Sequence, residues 1–309
     1  MSGYLDHGVW RRGWYDTSAS AGEFRRTEAA FRARVQGDSR ARFPAAAGRY
    51  HLYVSRACPW AHRTLILRRL KQLEDVVSAD VVEPLMGDDG WAFAPGADSV
   101  NGFAFLREAY VAADPHYSGR VTVPVLWDRQ TRTIVNNESA EIIRMLNSAF
   151  EAFTDEHTDY YPQALRPEID AVNDYVYERV NNGVYRCGFA GSQAAYEQAF
   201  DTLFDALETL EARLGRSHFL VGERLTEADW RLFTTLVRFD PAYYLHFKCN
   251  LKRIADYPNL TRYLRALLAV PGVSATVDLD HIKRHYYQSH RHLNPSGLVP
   301  KGPRLDWVP

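Results

Sequence analysis

The sequence predicts an α/β domain with a mixed sheet, followed by an all-helical domain. Three observations predict it. Short β-branched runs alternate with helical patterns between Tyr50 and Asn147. Beyond about residue 150 no strand pattern follows, and apolar residues recur at three- and four-residue spacing. The length of 309 residues suits about two domains of ~100–200 residues each.

Taken in order, residues 1–48 are polar, rich in Arg, Gly, Ser and Ala, with aromatics at Trp10, Trp14, Tyr15, Phe24, Phe31 and Phe43. A wholly disordered tail would be poorer in aromatics, so this segment reads as an extension lying over the folded body. Tyr50–Ser55 reads as a strand and Pro59–Leu73 as an amphipathic helix, with Ala61, Leu65, Leu70 and Leu73 between basic residues. Val76–Val82 is a β-branched strand; Phe103–Ala112 is a short helix closed by Asp114-Pro115. Val121–Trp127 and Thr133–Asn136 read as an antiparallel hairpin, and a helix starts over Ser139–Asn147. The order β-α-β-α-β-β-α over residues 49–150 is that of a thioredoxin-like domain.

The helical domain is expected over residues 151–309. Pro167 falls at a first helical position. Tyr196, Phe200, Leu203, Leu207, Leu210 and Leu214 form one stripe ended by Gly215. Thr226-Glu227-Ala228-Asp229 is a helix N-cap with acidic residues in its first turn. The last ~25 residues are irregular in pattern and are expected to wrap rather than add a core helix.

Composition excludes several classes. The chain is 46% hydrophobic, 24% charged, with net charge −1, which gives no footprint for nucleic acid or an anionic membrane. No run of eighteen apolar residues and no apolar segment behind Met1 imply neither a spanning helix nor a signal peptide. Three cysteines, Cys58, Cys187 and Cys249, are too few and too odd for a disulfide framework and fit a reducing compartment, hence the cytoplasm.

The chemistry centres on Cys58-Pro59-Trp60-Ala61. The cysteine falls at a helix N-cap with proline at the first helical position. The amides and dipole of that end favour a thiolate, which is both nucleophile and leaving group in thiol exchange. A cysteine taken at random is more often a small buried apolar residue; the strand–Cys-Pro–helix context points to function instead. Ala61 stands where a dithiol site would have its second cysteine. A disulfide on Cys58 is therefore resolved by another thiol, and glutathione fits. Cys187 is a conceivable internal resolver, but packing roles are expected for Cys187 and Cys249. Val123-Pro124 would leave the preceding backbone to pair with a peptide-like ligand; an edge-strand proline is the plainer alternative. Asn136-Asn137-Glu138-Ser139 would present amides and a hydroxyl to a carboxylate, and Glu138 to an ammonium, as the γ-glutamyl end of glutathione requires. His281, His285, His290 and His292 lack carboxylates at metal-site spacing, so no metal is expected.

The chain resembles the glutathionyl-hydroquinone reductases, the Xi class of glutathione transferases, over nearly its whole length. The resemblance runs through Phe24-Arg25-Arg26, Cys58-Pro59-Trp60-Ala61-His62-Arg63, Gly90-Trp91-Ala92-Phe93, residues 121–128 and Ile134 to Ser139. It continues through Asn181-Asn182-Gly183-Val184-Tyr185, His246-Phe247-Lys248-Cys249-Asn250, His285-Tyr286-Tyr287 and the tail from Asn294-Pro295 to Pro300. It implies an all-α glutathione-transferase C-terminal domain, Cys58 as nucleophile and Tyr185 as proton donor and acceptor. Trp91, Arg120, Val121, Thr122, Val123, Glu138 and Ser139 would hold glutathione as co-substrate. Tyr243 and Tyr286 would line the hydroquinone pocket and stabilise the Cys58 thiolate; Tyr244 and Tyr287 stand beside them and share the candidacy. Leu245 stands where a glycine is expected before His246. The family also implies a homodimer. An Omega-type thioltransferase or dehydroascorbate reductase would share Cys58 and glutathione but not Trp91, Tyr185 and the His285-Tyr286-Tyr287 segment. A conjugating transferase normally activates glutathione with Ser or Tyr. A non-catalytic binding protein would lose nothing on replacement of Cys58.

Overall fold

The computed structural model describes residues 3–305, so residues 1–2 and 306–309, the outer ends of the expected extension and tail, lie outside the described residues. Two compact units emerge. One comprises the chain up to Trp14, Glu28–Thr158 and Ala275–Leu298; the other comprises Tyr15–Thr27, Asp159–Ser274 and the chain from Val299.

The first unit opens with a hairpin, β1 (Gly3–Asp6) and β2 (Val9–Arg12), paired antiparallel with Gly3 opposite Arg12. His7 and Gly8 between them both have positive φ, 49° and 79°, as a type I′ turn demands. A Cβ at Gly8 would strike the Pro115 carbonyl, so glycine is required twice over. The sheet follows with β3 (Tyr50–Val54), α1 (Pro59–Leu70), β4 (Val77–Val81), α2 (Leu106–Ala113), β5 (Val125–Asp128), β6 (Thr133–Asn136) and α3 (Ser139–Ser148). Its order is β4-β3-β5-β6, with β3 and β4 parallel and the remaining pairs antiparallel. All five residues of β3 are buried, and α1 packs on α3. Leu52, Ile66, Leu126, Ile142 and Leu146 fill that interior, each stabilising by roughly 1.5–3 kcal/mol.

Several boundaries differ from the sequence pattern: β3 and β4 are trimmed by a residue at one or both ends, and α2 starts at Leu106 rather than Phe103. Helix α1 stops at Leu70 rather than Leu73 because Gln72 turns left-handed at φ 52°. Strand β5 begins at Val125 rather than Val121, since Pro124 has no N–H for the ladder.

The segment from Glu28 is fixed to the sheet-bearing unit by side chains. Arg32 donates to both carboxylate oxygens of Glu141 at 2.9 and 2.7 Å, and Asn136 Nδ2 donates to the Ala33 carbonyl and to Glu141. Burial pushes the Glu141 carboxyl up, but the bonds from Arg32 and Asn136 and the charges of Arg32 and Arg34 outweigh it and bring it to about 2. A depressed carboxyl contributes stability that is complete above its unfolded value of 4.5 and is lost as pH falls towards about 2. The stability gap between the wild type and Glu141→Gln, read as urea midpoints, is therefore expected to be widest at neutral pH and to close on acidification. A gap independent of pH would contradict this anchor.

The chain returns to the same unit with α10 (Leu279–Arg284), capped by Asp278, and a π turn at His285–Ser289. Ser289 Oγ accepts from the Met86 amide, and His62 Nε2 meets Thr276 Oγ1 at 2.7 Å. Residues 290–305 beyond that turn form no helix or strand.

The second unit contains α4 (Arg166–Val176), a π turn at Tyr177–Asn181, α5 (Gly183–Gly188) and α6 (Gln193–Leu214). After these come α7 (Glu227–Arg238), a π turn at Phe239–Tyr243, α8 (Tyr244–His246) and α9 (Pro258–Leu268). Helix α6 presents Leu203, Leu207, Leu210 and Leu214 inward and packs on α5 and α9. All twelve residues of α7 are buried. Its Thr226–Asp229 cap forms as the sequence predicts, with the Thr226 amide donating to Asp229 at 2.8 Å. The strap Tyr15–Thr27 belongs to this unit. The Gly191 amide donates to the Gly22 carbonyl at 2.7 Å, and Gly22, at φ 89°, leaves no room for a Cβ against Ser192.

Candidate active site

Cys58 caps α1 in extended geometry, φ −76° and ψ 122°, with Pro59 as the first helical residue. It is half-buried, whereas Cys187 and Cys249 are buried. Its thiol points at the Val123 carbonyl at 3.5 Å, so the cysteine and the Val123-Pro124 pair lie side by side. That peptide bond is cis. The Val123 amide enters none of the backbone hydrogen bonds among the described residues.

Ser139 opens α3, and Arg63, on α1 five residues after Cys58, reaches its hydroxyl at 3.4 Å from beneath the Trp60 ring. Sequence reasoning did not single out Arg63, although it lies in the quoted Cys58–Arg63 run. Glu138 caps α3: its carboxylate accepts from the Ala140 amide at 2.9 Å and from the Ser139 hydroxyl at 3.5 Å. Asn136 and Asn137 are buried and committed to the N-terminal extension. Asn137 Oδ1 accepts from the Phe31 amide, and Phe31 O accepts from the Asn137 amide. Of the expected four-residue box, Glu138 and Ser139 are the two whose side chains make none of these contacts with the extension.

The other expected glutathione contacts belong to the same unit. Trp91 is buried and stacked on the His285 ring, centroids 4.8 Å apart. Arg120 donates to the carbonyls of Gly3 and Gly13 and lies over the Tyr4 ring, so it also ties down the N-terminal hairpin. Val121 and Val123 are buried on either side of Thr122, whose backbone is clasped at both ends by the Tyr110 hydroxyl. Tyr286 and Tyr287 are both buried; burial pushes the Tyr287 phenol well up. Tyr286 meets His285 and His290 edge-on. His285 Nδ1 is engaged with the Pro84 carbonyl at 3.0 Å.

Tyr185 and Tyr243 belong to the helical unit, where they share one aromatic cluster. Their rings are 6.0 Å apart, and Phe247 stacks on Tyr243 at 5.4 Å and meets Tyr185 at 5.3 Å. Tyr243 is wholly buried and Tyr244 half-buried, while Leu245 is 59% exposed. Cys187 and Cys249 are buried neighbours in this unit, and the Cys249 thiol points at the Val184 and Phe247 carbonyls at 4.0 and 3.8 Å; burial and then the nearby Cys187 thiol push the Cys249 thiol well up. Such a thiol is inert at neutral pH, consistent with a packing role.

Each candidate tyrosine adjoins a π turn. Tyr185 follows Tyr177–Asn181, Tyr243 ends Phe239–Tyr243, and Tyr286 lies inside His285–Ser289. An extra residue per turn re-aims the side chains around it, and such turns frequently mark functional sites. The 3.6-residue pattern carries no signal for them.

Comparison with known proteins agrees with this geometry. The family described as glutathione S-transferase, N-terminal domain, matches residues 57–149, and glutathione S-transferase, C-terminal domain, matches residues 193–266. The fold is that of a glutathione transferase. The glutathionyl-hydroquinone reductase PcpF of Sphingobium chlorophenolicum is 55% identical, over 97% of this chain and 96% of its own length. A glutathione-bound structure of YqjG, a glutathione transferase homologue from Escherichia coli K-12, superposes with TM-score 0.90 at 50% identity, covering 99% of this chain and 97% of that one. A Xi-class transferase from Natrialba magadii superposes with TM-score 0.92 at 47% identity over 100% of this chain and 95% of its own. The chain belongs to the glutathionyl-hydroquinone reductases, the Xi class, and is a glutathione-dependent oxidoreductase of the glutathione transferase superfamily.

Proposed function

We propose that this protein reduces S-glutathionyl-hydroquinones to hydroquinones through a Cys58–glutathione mixed disulfide. The observation that carries the reading is the half-exposed Cys58 thiol at the N-terminus of α1, against the Val123 carbonyl, with Ala61 in place of a second cysteine. The family membership supplies the substrate class.

Direct attack on the sulfur of an aryl thioether would expel an aryl carbanion, a very poor leaving group. Tyr185 removes this obstacle: it gives its proton to the ring carbon that bears sulfur and takes up the proton of a ring hydroxyl, which passes to its keto form. The Cys58 thiolate then attacks the glutathionyl sulfur. The S–S bond forms, the C–S bond breaks, and its electron pair becomes an enolate that takes a proton to give the hydroquinone. A second glutathione attacks the mixed disulfide, Cys58 leaves as thiolate, and oxidised glutathione departs. The sum is one glutathionyl-hydroquinone and one glutathione giving one hydroquinone and one oxidised glutathione.

Glutathione would be held by Trp91, Arg120, the backbone of Val121, Thr122 and Val123, and by Glu138 and Ser139. Tyr243 and Tyr286 would line the hydroquinone side and favour the thiolate. What supports the glutathione contacts is the Val123 amide outside the backbone bonding and the α3 N-terminus, where amides favour a carboxylate. The working form is a homodimer in the cytoplasm; a sedimentation mass of one chain would refute the dimer. Among the described residues no helix is long and apolar enough to cross a membrane.

With a glutathionyl-hydroquinone and excess glutathione, hydroquinone and oxidised glutathione are expected in equal amounts. Tyr185→Phe is expected to slow hydroquinone release by ~10²-fold or more while leaving reduction of a simple glutathione mixed disulfide intact. Turnover of mixed disulfides or dehydroascorbate without hydroquinone release would favour a thioltransferase.

A further inference from the structure

We infer that Arg26, on the N-terminal strap, is a positioning residue for the proton transfer by Tyr185. The inference rests on the reading of Tyr185 given under Proposed function. The guanidinium carbon lies 4.9 Å from the Tyr185 ring centroid and 5.6 Å from that of Phe24. Its Nε donates to Asn182 Oδ1 at 3.2 Å. Asn182 follows the π turn and caps the start of α5, so the same guanidinium fixes both the start of the helix that carries Tyr185 and the face of its ring. The terminal Nη2 atom is shut off from solvent, which raises the weight of its charge on the neighbouring ring.

The strap is built to hold that position. Phe24 is buried and packs edge-on against Phe189 at 5.3 Å, and the Tyr15 ring packs on Phe24 at 4.8 Å. The Ser192 hydroxyl donates to the Ala21 carbonyl at 2.8 Å. Arg25, the next residue along, turns instead to Glu23 at 3.0 and 3.1 Å. Two adjacent arginines thus have separate employments, and only Arg26 faces the aromatic cluster.

The consequence is electrostatic. When Tyr185 hands its proton to the ring carbon, negative charge appears on its phenolic ring. A fixed cation over the ring face attracts the anionic ring more than the neutral one. It therefore stabilises the state after proton transfer more than the state before, which is the condition for lowering a barrier. Resolution of the mixed disulfide by glutathione does not involve Tyr185 and gains nothing from Arg26.

The test separates the two half-reactions. Arg26→Met keeps the aliphatic bulk and removes the charge. In a stopped-flow burst with a glutathionyl-hydroquinone its hydroquinone release is expected to fall about tenfold. Glutathione-dependent reduction of the mixed disulfide of glutathione and 2-mercaptoethanol is expected to stay unchanged. Arg26→Lys recovers most of the loss. In a Tyr185→Phe background, Arg26→Met adds no further loss, because the group it serves is gone. Wild-type release undiminished in Arg26→Met, or both reactions falling together, would overturn the inference alone. No hydroquinone from the wild type would overturn the reading of Tyr185 and the inference with it.

Discussion

Cys58→Ser loses hydroquinone release by at least ~10³-fold, with the fold intact. The oxygen that replaces sulfur is a far weaker nucleophile at neutral pH and cannot form the mixed disulfide. The cysteine is half-exposed at a helix end, so the exchange leaves no large cavity and the unfolding midpoint should scarcely move. Cys187→Ser and Cys249→Ser serve as contrast. Both sulfurs are buried, so their replacement acts on stability, and turnover per folded molecule should remain. Initial rates with one glutathionyl-hydroquinone across the three variants check this. A Cys58→Ser enzyme that still turns over would place the chemistry elsewhere.

The second large effect is on stability. Asp229→Ala is expected to destabilise the helical unit by about 3–5 kcal/mol, lowering the melting temperature by roughly 10 °C. The Asp229 carboxylate is wholly buried and receives the amides of Leu220 and Thr226 at 2.9 and 2.8 Å, the Thr226 hydroxyl at 3.2 Å and the Tyr263 hydroxyl at 2.8 Å. It therefore joins the start of α7 to the preceding loop and to α9. Alanine would leave these buried donors without their acceptor. Asp229→Asn keeps one acceptor oxygen and should lose less. Calorimetric scans of the three proteins decide it; equal melting temperatures would show that the network carries no net stability.

The sheet-bearing core was legible because its strands are β-branched runs and its helices carry caps and proline at their starts. The Cys58 position followed from Cys-Pro between a strand and a helix. The β1–β2 hairpin was not legible, since its strands are only four residues long and its turn depends on His7 taking positive φ. Residues 136–137 looked ligand-facing because their bonding to Phe31 and Ala33 spans more than a hundred residues of sequence. Arg26 and Arg63 were visible as residues but not as neighbours of Tyr185 and Ser139, because only tertiary packing brings them there.

The most direct measurement is the intact mass of the protein after one equivalent of a glutathionyl-hydroquinone with no free glutathione present. The expected result is a gain of one glutathionyl group, mapped to the peptide containing Cys58, with one equivalent of hydroquinone released and the adduct cleared on adding glutathione. Hydroquinone released with no adduct on Cys58 would contradict the covalent mechanism.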